Sequence, residues 1–271
     1  MSGRPRLDQL LVERGLAESR TKAQALILAG RVFTGERRLD KPGASVDPAL
    51  ALSVRGGPDH VSRGAEKLIA GLDAFAIDPA GATALDIGAS TGGFTDVLLR
   101  RGAAKVYAVD VGHGQLDWRI RQDPRVVALE RTNARHLRRA EIPEPVDLLV
   151  CDASFIGLRT VLPAPLALCA PEAAAVVLIK PQFEAGPAEV GKGGVVRDPA
   201  VHARVCAEIA AWLAAQPGWR VLGIVPSPLL GPAGNREFLL GARRSAGEAR
   251  EAPLEVGDQV ARVLETDMDP Q

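Results

Sequence analysis

The chain has 271 residues, of which 46% are hydrophobic and 24% are charged. These values are typical of a soluble globular protein and exclude a fibrous or wholly disordered chain. The length is enough for two domains of roughly 150 residues. Basic and acidic residues both number 33, but residues 1–58 carry ten basic and six acidic side chains, a net +4, and residues 59–271 carry a net −4. We therefore expect a polyanion to bind to the N-terminal part of the chain, residues 1–58.

The cysteines and the apolar segments exclude several other classes. Cys151, Cys169 and Cys206 are widely spaced and form no CxxC motif, which argues against a disulfide framework and against a zinc site. We expect no metal. The N-terminus lacks the apolar run of a signal peptide. Residues 160–179 are apolar, but three prolines and Glu172 interrupt them, so we expect no membrane span and a cytoplasmic protein.

Residues 6–48 have the pattern of a small α+β unit. Leucines recur at helical spacing at its start, and Gly15 is predicted to end this first helix. Ser19 is the predicted N-cap of a second helix. Short strands are predicted at 32–34 and 44–46. The basic residues on this unit could bind a polyanion, or they could simply be a solvated face.

The segment RLDQLLVERGLAESRTKAQALILAGRVFTGERRLDKPGASVD resembles the S4-type RNA-binding domain. The motifs R-L-D-x-x-L, S-R-x-x-A-x-x-L-I and G-x-V follow one another in it in the order typical of that family. The resemblance implies that two helices and a small sheet present basic residues to structured RNA. The candidate RNA-binding residues of this unit are Arg6, Arg14, Arg20, Lys22, Arg31, Arg37 and Arg38. Residues 49–62, which include Gly56-Gly57-Pro58, are predicted to form a linker.

The remainder of the chain alternates strands and helices. Buried strands are predicted at 83–88, 106–111, 126–130, 146–152, 174–180, 220–225 and 237–241. Helices are predicted at 67–75, 94–101, 115–120, 159–170 and 200–215. Repeated strand–helix units with apolar, β-branched strands indicate the α/β class and a doubly wound, mostly parallel sheet. The predicted domains are 1–58, 59–244 and a C-terminal tail at 245–271.

A glycine-rich turn follows the first strand of the body, in the segment LDIGASTGGFT that begins at Leu85. Such a turn lets the backbone approach a ligand closely. The second strand ends in Val109-Asp110-Val111, and an acidic residue there can bind both hydroxyls of a ribose. Together these features favour an adenosine-containing cofactor. A dinucleotide-dependent dehydrogenase is the alternative, but the turn is not GxGxxG, and the four histidines are predicted to lie at the surface or in loops.

Four ionisable residues are predicted to meet at one edge of the sheet. Asp152 and Lys180 each end a buried strand, and ligands of open α/β sheets bind at that edge. Lys67 lies on the helix before the first strand. Glu237 begins the last strand and reaches the same edge if that strand is antiparallel. The result is a Lys-Asp-Lys-Glu cluster, for which a structural network of ion pairs is the alternative interpretation.

From that order of residues the body resembles the FtsJ-like ribose 2′-O-methyltransferases, whose catalytic tetrad is Lys-Asp-Lys-Glu. Together with an S4 domain it resembles the TlyA family, described both as rRNA methyltransferases and as haemolysins. Further matching segments are HVSRGAEKL, VCDASFI, LIKPQFEAG and VGKGGVVRDP. One departure is Ala65-Glu66, where the family commonly has a glycine and an apolar residue.

The resemblance implies a Rossmann-like methyltransferase with a seven-stranded sheet that uses S-adenosyl-L-methionine on ribosomal RNA or ribosomal subunits, with cytidine as the base. The implied catalytic residues are Lys67, Asp152, Lys180 and Glu237. The candidate cofactor-binding residues are Gly88, Ser90, Thr91, Gly92, Gly93, Phe94, Thr95, Asp110, Val111, Asn133 and Asp152.

The predicted chemistry is the activation of a ribose 2′-hydroxyl, which is a weak nucleophile. Lys180 could accept its proton as a neutral amine, or as an ammonium it could stabilise the developing alkoxide. On the Gly-rich loop 184–198, Lys192 and Arg197 are candidate phosphate contacts, unless this loop is merely a mobile surface segment. Membrane lysis and a non-catalytic role in ribosome assembly are the alternative functions.

Overall fold

The computed structural model describes residues 4–55 and 60–246. The chain divides into two compact units, Met1–Asp59 and His60–Gln271. The predicted tail lies outside the described residues from position 247 onward, and so do residues 56–59 of the predicted linker.

The first unit packs two helices against a small antiparallel sheet. The helices are α1 (Leu7–Glu13) and α2 (Arg20–Leu28), and the strands, in the sheet order β2-β1-β3, are β1 (Val32–Thr34), β2 (Arg37–Arg38) and β3 (Ser53–Val54). Gly15 adopts φ +65° after α1, and the Ser19 hydroxyl accepts a hydrogen bond from the Lys22 backbone N–H. Both predicted helix boundaries are confirmed.

Of the two strands predicted in this unit, only the one at 32–34 is found, and β2 and β3 were not predicted. Residues 44–46 form no strand, and Ser45 makes only an isolated bridge with Arg6. Strand β3 lies inside the predicted linker, where Val54 pairs with Val32. Val54 also packs against the core of the unit. Burial of this side chain explains why the chain continues as part of the sheet.

The second unit contains a seven-stranded sheet with helices on both faces. Its helices are α3 (Gly64–Ala74), α4 (Gly93–Arg100), α5 (Trp118–Gln122), α6 (Leu158–Val161), α7 (Pro163–Ala167), α8 (Pro181–Glu184) and α9 (Pro199–Ala214). Its strands are β4 (Thr83–Ile87), β5 (Lys105–Val109), β6 (Val126–Leu129), β7 (Val146–Cys151), β8 (Cys169–Ile179), β9 (Trp219–Pro226) and β10 (Phe238–Arg244). Two 3-10 turns cover Ala134–His136 and Pro187–Glu189.

The order of strands is β6-β5-β4-β7-β8-β10-β9, and β10 runs antiparallel to both of its neighbours. The predicted α/β class and mostly parallel seven-stranded sheet are therefore confirmed. The predicted helix at 159–170 is instead two short helices, because Pro163 cannot donate to the preceding turn and begins a new helix. None of the helices in the described part of the chain is long and apolar enough to cross a membrane.

Alternate side chains of the central strands bury on opposite faces of the sheet, as strand geometry requires. Leu149 and Val177 belong to one apolar cluster, and Leu148 and Val176 belong to the other. A sheet covered on both faces leaves its carboxyl edge as the place where polar side chains can gather. At that edge Phe238, the first residue of β10, pairs with the last residue of β8, so the antiparallel strand begins where its parallel neighbour ends.

Candidate active site

The turn after β4 forms one wall of a cleft. Gly88 has φ +81°, Ser90 +48° and Gly92 +94°, so the turn runs through the left-handed region that glycine tolerates best. A Cβ on Gly88 would lie 2.9 Å from backbone atoms of Ala153. Two loops therefore touch here through their backbones, and a larger residue would push them apart.

Asp110 holds this turn from the end of β5. Its Oδ2 accepts a hydrogen bond from the Ser90 N–H at 2.8 Å, and its Oδ1 accepts one from the Gly112 N–H at 2.7 Å. A carboxylate has about four lone-pair sites, so both oxygens can still accept a ligand hydroxyl. Asp110 is only partly buried and lines a cleft of about 380 Å³.

The candidate cofactor residues occupy three kinds of position. Lining this cleft are Gly88, Ser90, Asp110, Val111, Asn133 and Asp152. Lining an adjoining cleft of about 290 Å³ are Gly88, Ser90, Thr91, Gly93, Phe94 and Asp152. The other two candidates, Gly92 and Thr95, line neither. Gly92 is the N-cap of α4, and the buried Thr95 hydroxyl donates to Asp86 Oδ2 at 2.7 Å.

Two carboxylates, those of Asp110 and Asp152, line the first cleft and give it a negative character. Asp86 is fully buried behind the glycine turn, and no described residue donates a hydrogen bond to its Oδ1. Burial, reinforced by the charges of Asp152 and Asp110, raises the pKa of Asp86 to about 7. Such a site favours a cationic ligand and disfavours the pyrophosphate of a dinucleotide.

The predicted tetrad is arranged as two ion pairs. Lys67 of α3 places its Nζ 2.5 Å from Oε2 of Glu237, and both residues are buried. Lys180 places its Nζ 2.7 Å from Oδ1 of Asp152. Lys67 and Asp152 line the second cleft together. Because the two clefts share Gly88, Ser90 and Asp152, Asp152 lies where they meet.

The sequence analysis assigned no role to Ser154 and Phe155, which lie two and three positions after Asp152. Ser154 lies with its Oγ 2.8 Å from Lys180 Nζ, which also donates to the Asp152 carbonyl oxygen at 3.2 Å. Phe155 adopts φ +63° and is 91% exposed, with its ring 5.2 Å from that of Phe183. The motif VCDASFI contains both residues. The pattern of apolar residues in the sequence does not predict, however, that a phenylalanine just after a buried strand is exposed.

A loop before β10 closes the other side of the second cleft. Leu229, Leu230 and Pro232 line it, and the Gly231 N–H donates to the Asn235 carbonyl at 2.9 Å. Leu230 is 63% exposed. Sequence analysis missed this apolar wall, because the segment resembled an ordinary Pro- and Gly-rich turn.

The Gly-rich loop with Lys192 and Arg197 forms a hydrogen-bonded turn. Gly191 bridges Val195. The buried Asn235 side chain accepts from the Val196 N–H at 3.0 Å and donates to the Gly194 carbonyl at 2.9 Å. Lys192 and Arg197 are exposed on either side of it.

The histidines correct one expectation. His202 lies in α9, is 2% exposed and approaches the Val196 carbonyl at 3.1 Å, so it is not a surface or loop residue. His60 bonds Asp96 at 2.8 Å through its Nδ1. Sequence periodicity did not reveal either partner.

In the first unit two of the candidate RNA-binding arginines share one buried acid. Asp8 is fully buried, and its carboxylate accepts from Arg6 at 3.0 and 3.1 Å, from Gln24 at 2.8 Å and from Arg20 at 3.4 Å. The hydrogen bonds from Arg6 hold the pKa of Asp8 well below its usual range.

The other candidates of this unit differ in their surroundings. Arg14 donates to the carbonyls of Leu50 and Pro48, and Lys22 lies 3.9 Å from Glu18. Arg37 and Arg38 are exposed on β2, whereas Arg31 is partly buried.

Comparisons with known proteins agree with this geometry. Residues 60–244 match the FtsJ-like methyltransferase family, and residues 5–50 match the S4 domain. The chain is 51% identical over 254 residues to the 16S/23S rRNA (cytidine-2′-O)-methyltransferase TlyA of Mycobacterium tuberculosis, covering 93% of this chain and 94% of that protein. It is 37% identical over 235 residues to Hemolysin A of Brachyspira hyodysenteriae, covering 86% and 98%.

A solved structure described as a "Putative hemolysin" from Streptococcus thermophilus has a TM-score of 0.71 and 37% identity, covering 98% of this chain and 97% of that one. The match to the methyltransferase family spans more than half of the chain, and the relatives cover nearly all of it. The chain therefore belongs to the FtsJ-like methyltransferases that carry an S4 domain in front, the TlyA family.

Proposed function

We propose that this protein transfers a methyl group from S-adenosyl-L-methionine to a ribose 2′-hydroxyl of ribosomal RNA. The observation that carries the proposal is the meeting of two clefts at Asp152. One cleft is lined by Asp110 and the glycine turn, and the other by Lys67. A methyl donor and a ribose bound in adjoining clefts would meet beside the Asp152–Lys180 ion pair.

The first cleft suits S-adenosyl-L-methionine on two grounds. Asp110 has acceptor capacity for both ribose hydroxyls, and the glycine turn, through Gly88 and Ser90, lines the same cleft. S-adenosyl-L-methionine is a sulfonium cation that supplies an electrophilic methyl group. The carboxylates of Asp110 and Asp152, which line the cleft, favour such a cation.

The second cleft supplies groups that can handle the 2′-hydroxyl. Lys180 Nζ and Asp152 Oδ1 lie 2.7 Å apart, and Asp152 lines both clefts. Asp152 would orient the hydroxyl, and Lys180 would take its proton or stabilise the charge on oxygen as the methyl group is transferred. The enclosed pair of Lys67 and Glu237 would fix the position of the ribose.

RNA binding is assigned mainly to the first unit, because residues 1–58 carry a net +4 charge. Two features of the second unit would complete the interface. Arg131, Arg135 and Arg138 are exposed close to Asn133 of the first cleft. The exposed ring of Phe155 at the same cleft offers a face on which an unstacked base could stack.

The name of one relative supports cytidine in ribosomal RNA as the target. The Mycobacterium tuberculosis protein is named a 16S/23S rRNA (cytidine-2′-O)-methyltransferase and is 51% identical over 93% of this chain. We assign the same chemistry, with cytidine in ribosomal subunits as the target.

The test uses ribosomal subunits from cells that lack this protein, incubated with the purified full chain and S-adenosyl-L-methionine carrying a labelled methyl group. We expect label in rRNA and a new site resistant to alkaline cleavage, the signature of a 2′-O-methyl group. Asp152→Ala should abolish both signals. Label that appears on a base, on protein or nowhere would refute the assignment.

A further inference from the structure

Ser154 lies on the cleft side of the catalytic lysine. Its Oγ is 2.8 Å from Lys180 Nζ, and the residue is exposed and lines the first cleft. The Lys180 side chain is only 8% exposed. The left-handed backbone at Phe155, φ +63°, turns the chain immediately after Ser154. The hydroxyl and the ring therefore have separate environments, one against Lys180 and the other in solvent.

The hydrogen bonds of Lys180 leave one direction at Nζ unassigned. An ammonium has three N–H donors. Two are accounted for by the Asp152 carbonyl at 3.2 Å and the Ser154 hydroxyl at 2.8 Å. Asp152 Oδ1 lies 2.7 Å away as an ion pair, yet no described residue makes a hydrogen bond to it.

Two anchors on a tetrahedral nitrogen determine where its third position points. Removing either of these two hydrogen-bond partners would let Nζ rotate about the terminal C–N bond, so that its third position would no longer have a fixed direction.

We propose that Ser154 is a positioning residue that fixes the orientation of Lys180 Nζ toward the ribose 2′-oxygen. This inference rests on the proposed function. Ser154 accepts one N–H from Nζ, and the Asp152 carbonyl accepts another, so that the third position faces the incoming hydroxyl. A hydroxyl suits this role whether Lys180 is charged or neutral, because it can either accept from the amine or donate to it.

The test compares Ser154→Ala and Ser154→Thr in the full chain. We expect the single-turnover rate of methyl transfer to fall by roughly tenfold to a hundredfold in the alanine variant, the loss typical of a hydrogen bond to a charged group. Binding of RNA and of S-adenosyl-L-methionine should change by less than about twofold. Threonine keeps the hydroxyl, and the exposed position has room for its methyl group, so it should restore most of the rate.

A second readout is independent of catalysis. With ¹⁵N-labelled lysine, the chain has six Nζ nuclei. Ser154→Ala should move the Lys180 Nζ resonance and leave that of Lys67 in place. Lys180→Arg should in turn make Ser154→Ala nearly silent in the rate assay, because Ser154 acts through the lysine.

The outcomes separate the two proposals. If wild-type protein does not methylate RNA but the Lys180 resonance moves, the proposed function fails and the contact stands. If RNA is methylated but the alanine variant keeps the wild-type rate, or threonine fails to restore a lost rate, Ser154 is not a positioning residue. An unmoved Lys180 resonance would overturn the contact itself.

Discussion

Among the described residues, each unit buries one aspartate completely, and these two side chains have opposite electrostatic environments. Asp8 in the first unit receives hydrogen bonds from Arg6, Gln24 and Arg20, and its pKa is depressed. Asp86 in the second unit receives one from Thr95 and has other carboxylates near it, so burial raises its pKa to about 7. The first acid is already neutralised by cations of its own unit. The second lies behind a cleft where a cation can still bind.

The stability consequences of the two acids have opposite signs. A depressed folded pKa means that Asp8 stabilises the fold above the ordinary aspartate value and loses this contribution as pH falls below it. A raised folded pKa means that ionisation of Asp86 costs stability as pH rises from about 4 to about 7. The buried acid of the first unit is thus paired with cations, whereas the buried acid of the second unit carries an unfavourable charge when ionised, which a cationic ligand can relieve.

The largest expected effect is on the rate of methyl transfer, and it comes from a substitution at Lys180. This substitution should slow the chemical step without weakening binding of cofactor or RNA. Lys180→Arg keeps the charge, but a guanidinium cannot act as a base, and its planar fork misplaces the donors beside Asp152. Methyl transfer in a single turnover should fall by about a hundredfold or more. Affinity for cofactor and RNA should change little. Lys105→Arg, the same substitution at an exposed pair with Glu144, is the matched control.

A rate above about a tenth of wild type in Lys180→Arg would mean that Lys180 supplies only a fixed charge. Collapse of RNA binding would make it a substrate-binding residue and return the catalytic assignment to Asp152 and Lys67.

The next effect concerns cofactor affinity. Asp110→Ala removes the carboxylate that orders Ser90 and Gly112 and that would bind the ribose hydroxyls. Calorimetry should show S-adenosyl-L-methionine affinity reduced by about thirtyfold to a hundredfold, in line with the loss of charge-assisted hydrogen bonds. Asp147→Asn, at the opposite end of the sheet where the side chain accepts from Thr83, should leave affinity unchanged. Equal losses in both variants would indicate a general destabilisation.

These predictions depend on positions that the sequence indicated well. Strand ends placed Asp152, Lys180 and Asp110 at one edge, because every strand of a parallel sheet presents its carboxyl end there. The antiparallel start of β10 brought Glu237 to the same edge. The partners across the fold were not predictable, since the contact of Ser154 with Lys180 joins residues 26 positions apart and follows no sequence period. The strand at residues 53–54 was missed because two residues are too few to show a period.

A smaller effect is a change of about tenfold in cofactor affinity with pH. It tests directly whether the raised pKa of Asp86 is linked to cofactor binding. A cation in the first cleft should favour ionised Asp86, whose pKa is about 7 without ligand. S-adenosyl-L-methionine affinity should therefore rise between pH 6 and pH 8, with proton release visible as a buffer-dependent binding enthalpy. Asp86→Asn keeps an acceptor for the Thr95 hydroxyl and should remove this component. If the affinity of the wild type and that of the variant depend on pH in the same way, ionisation of Asp86 is not linked to cofactor binding.

The smallest effect concerns the paired arginines of the first unit. Arg20 is half exposed while it contacts Asp8, so its guanidinium can still neutralise a phosphate. Arg20→Ala should weaken RNA binding a few-fold and make the slope of log affinity against log salt shallower by about 0.9. Arg20→Lys keeps the charge but loses the planar fork, so its slope should match wild type even if its affinity falls. Arg101→Ala, which breaks a pair with Asp73 in the second unit, should change neither quantity. If the slope changes in Arg101→Ala and not in Arg20→Ala, the phosphate contacts lie on the second unit. The proposal that the first unit supplies most of the RNA affinity would then be wrong.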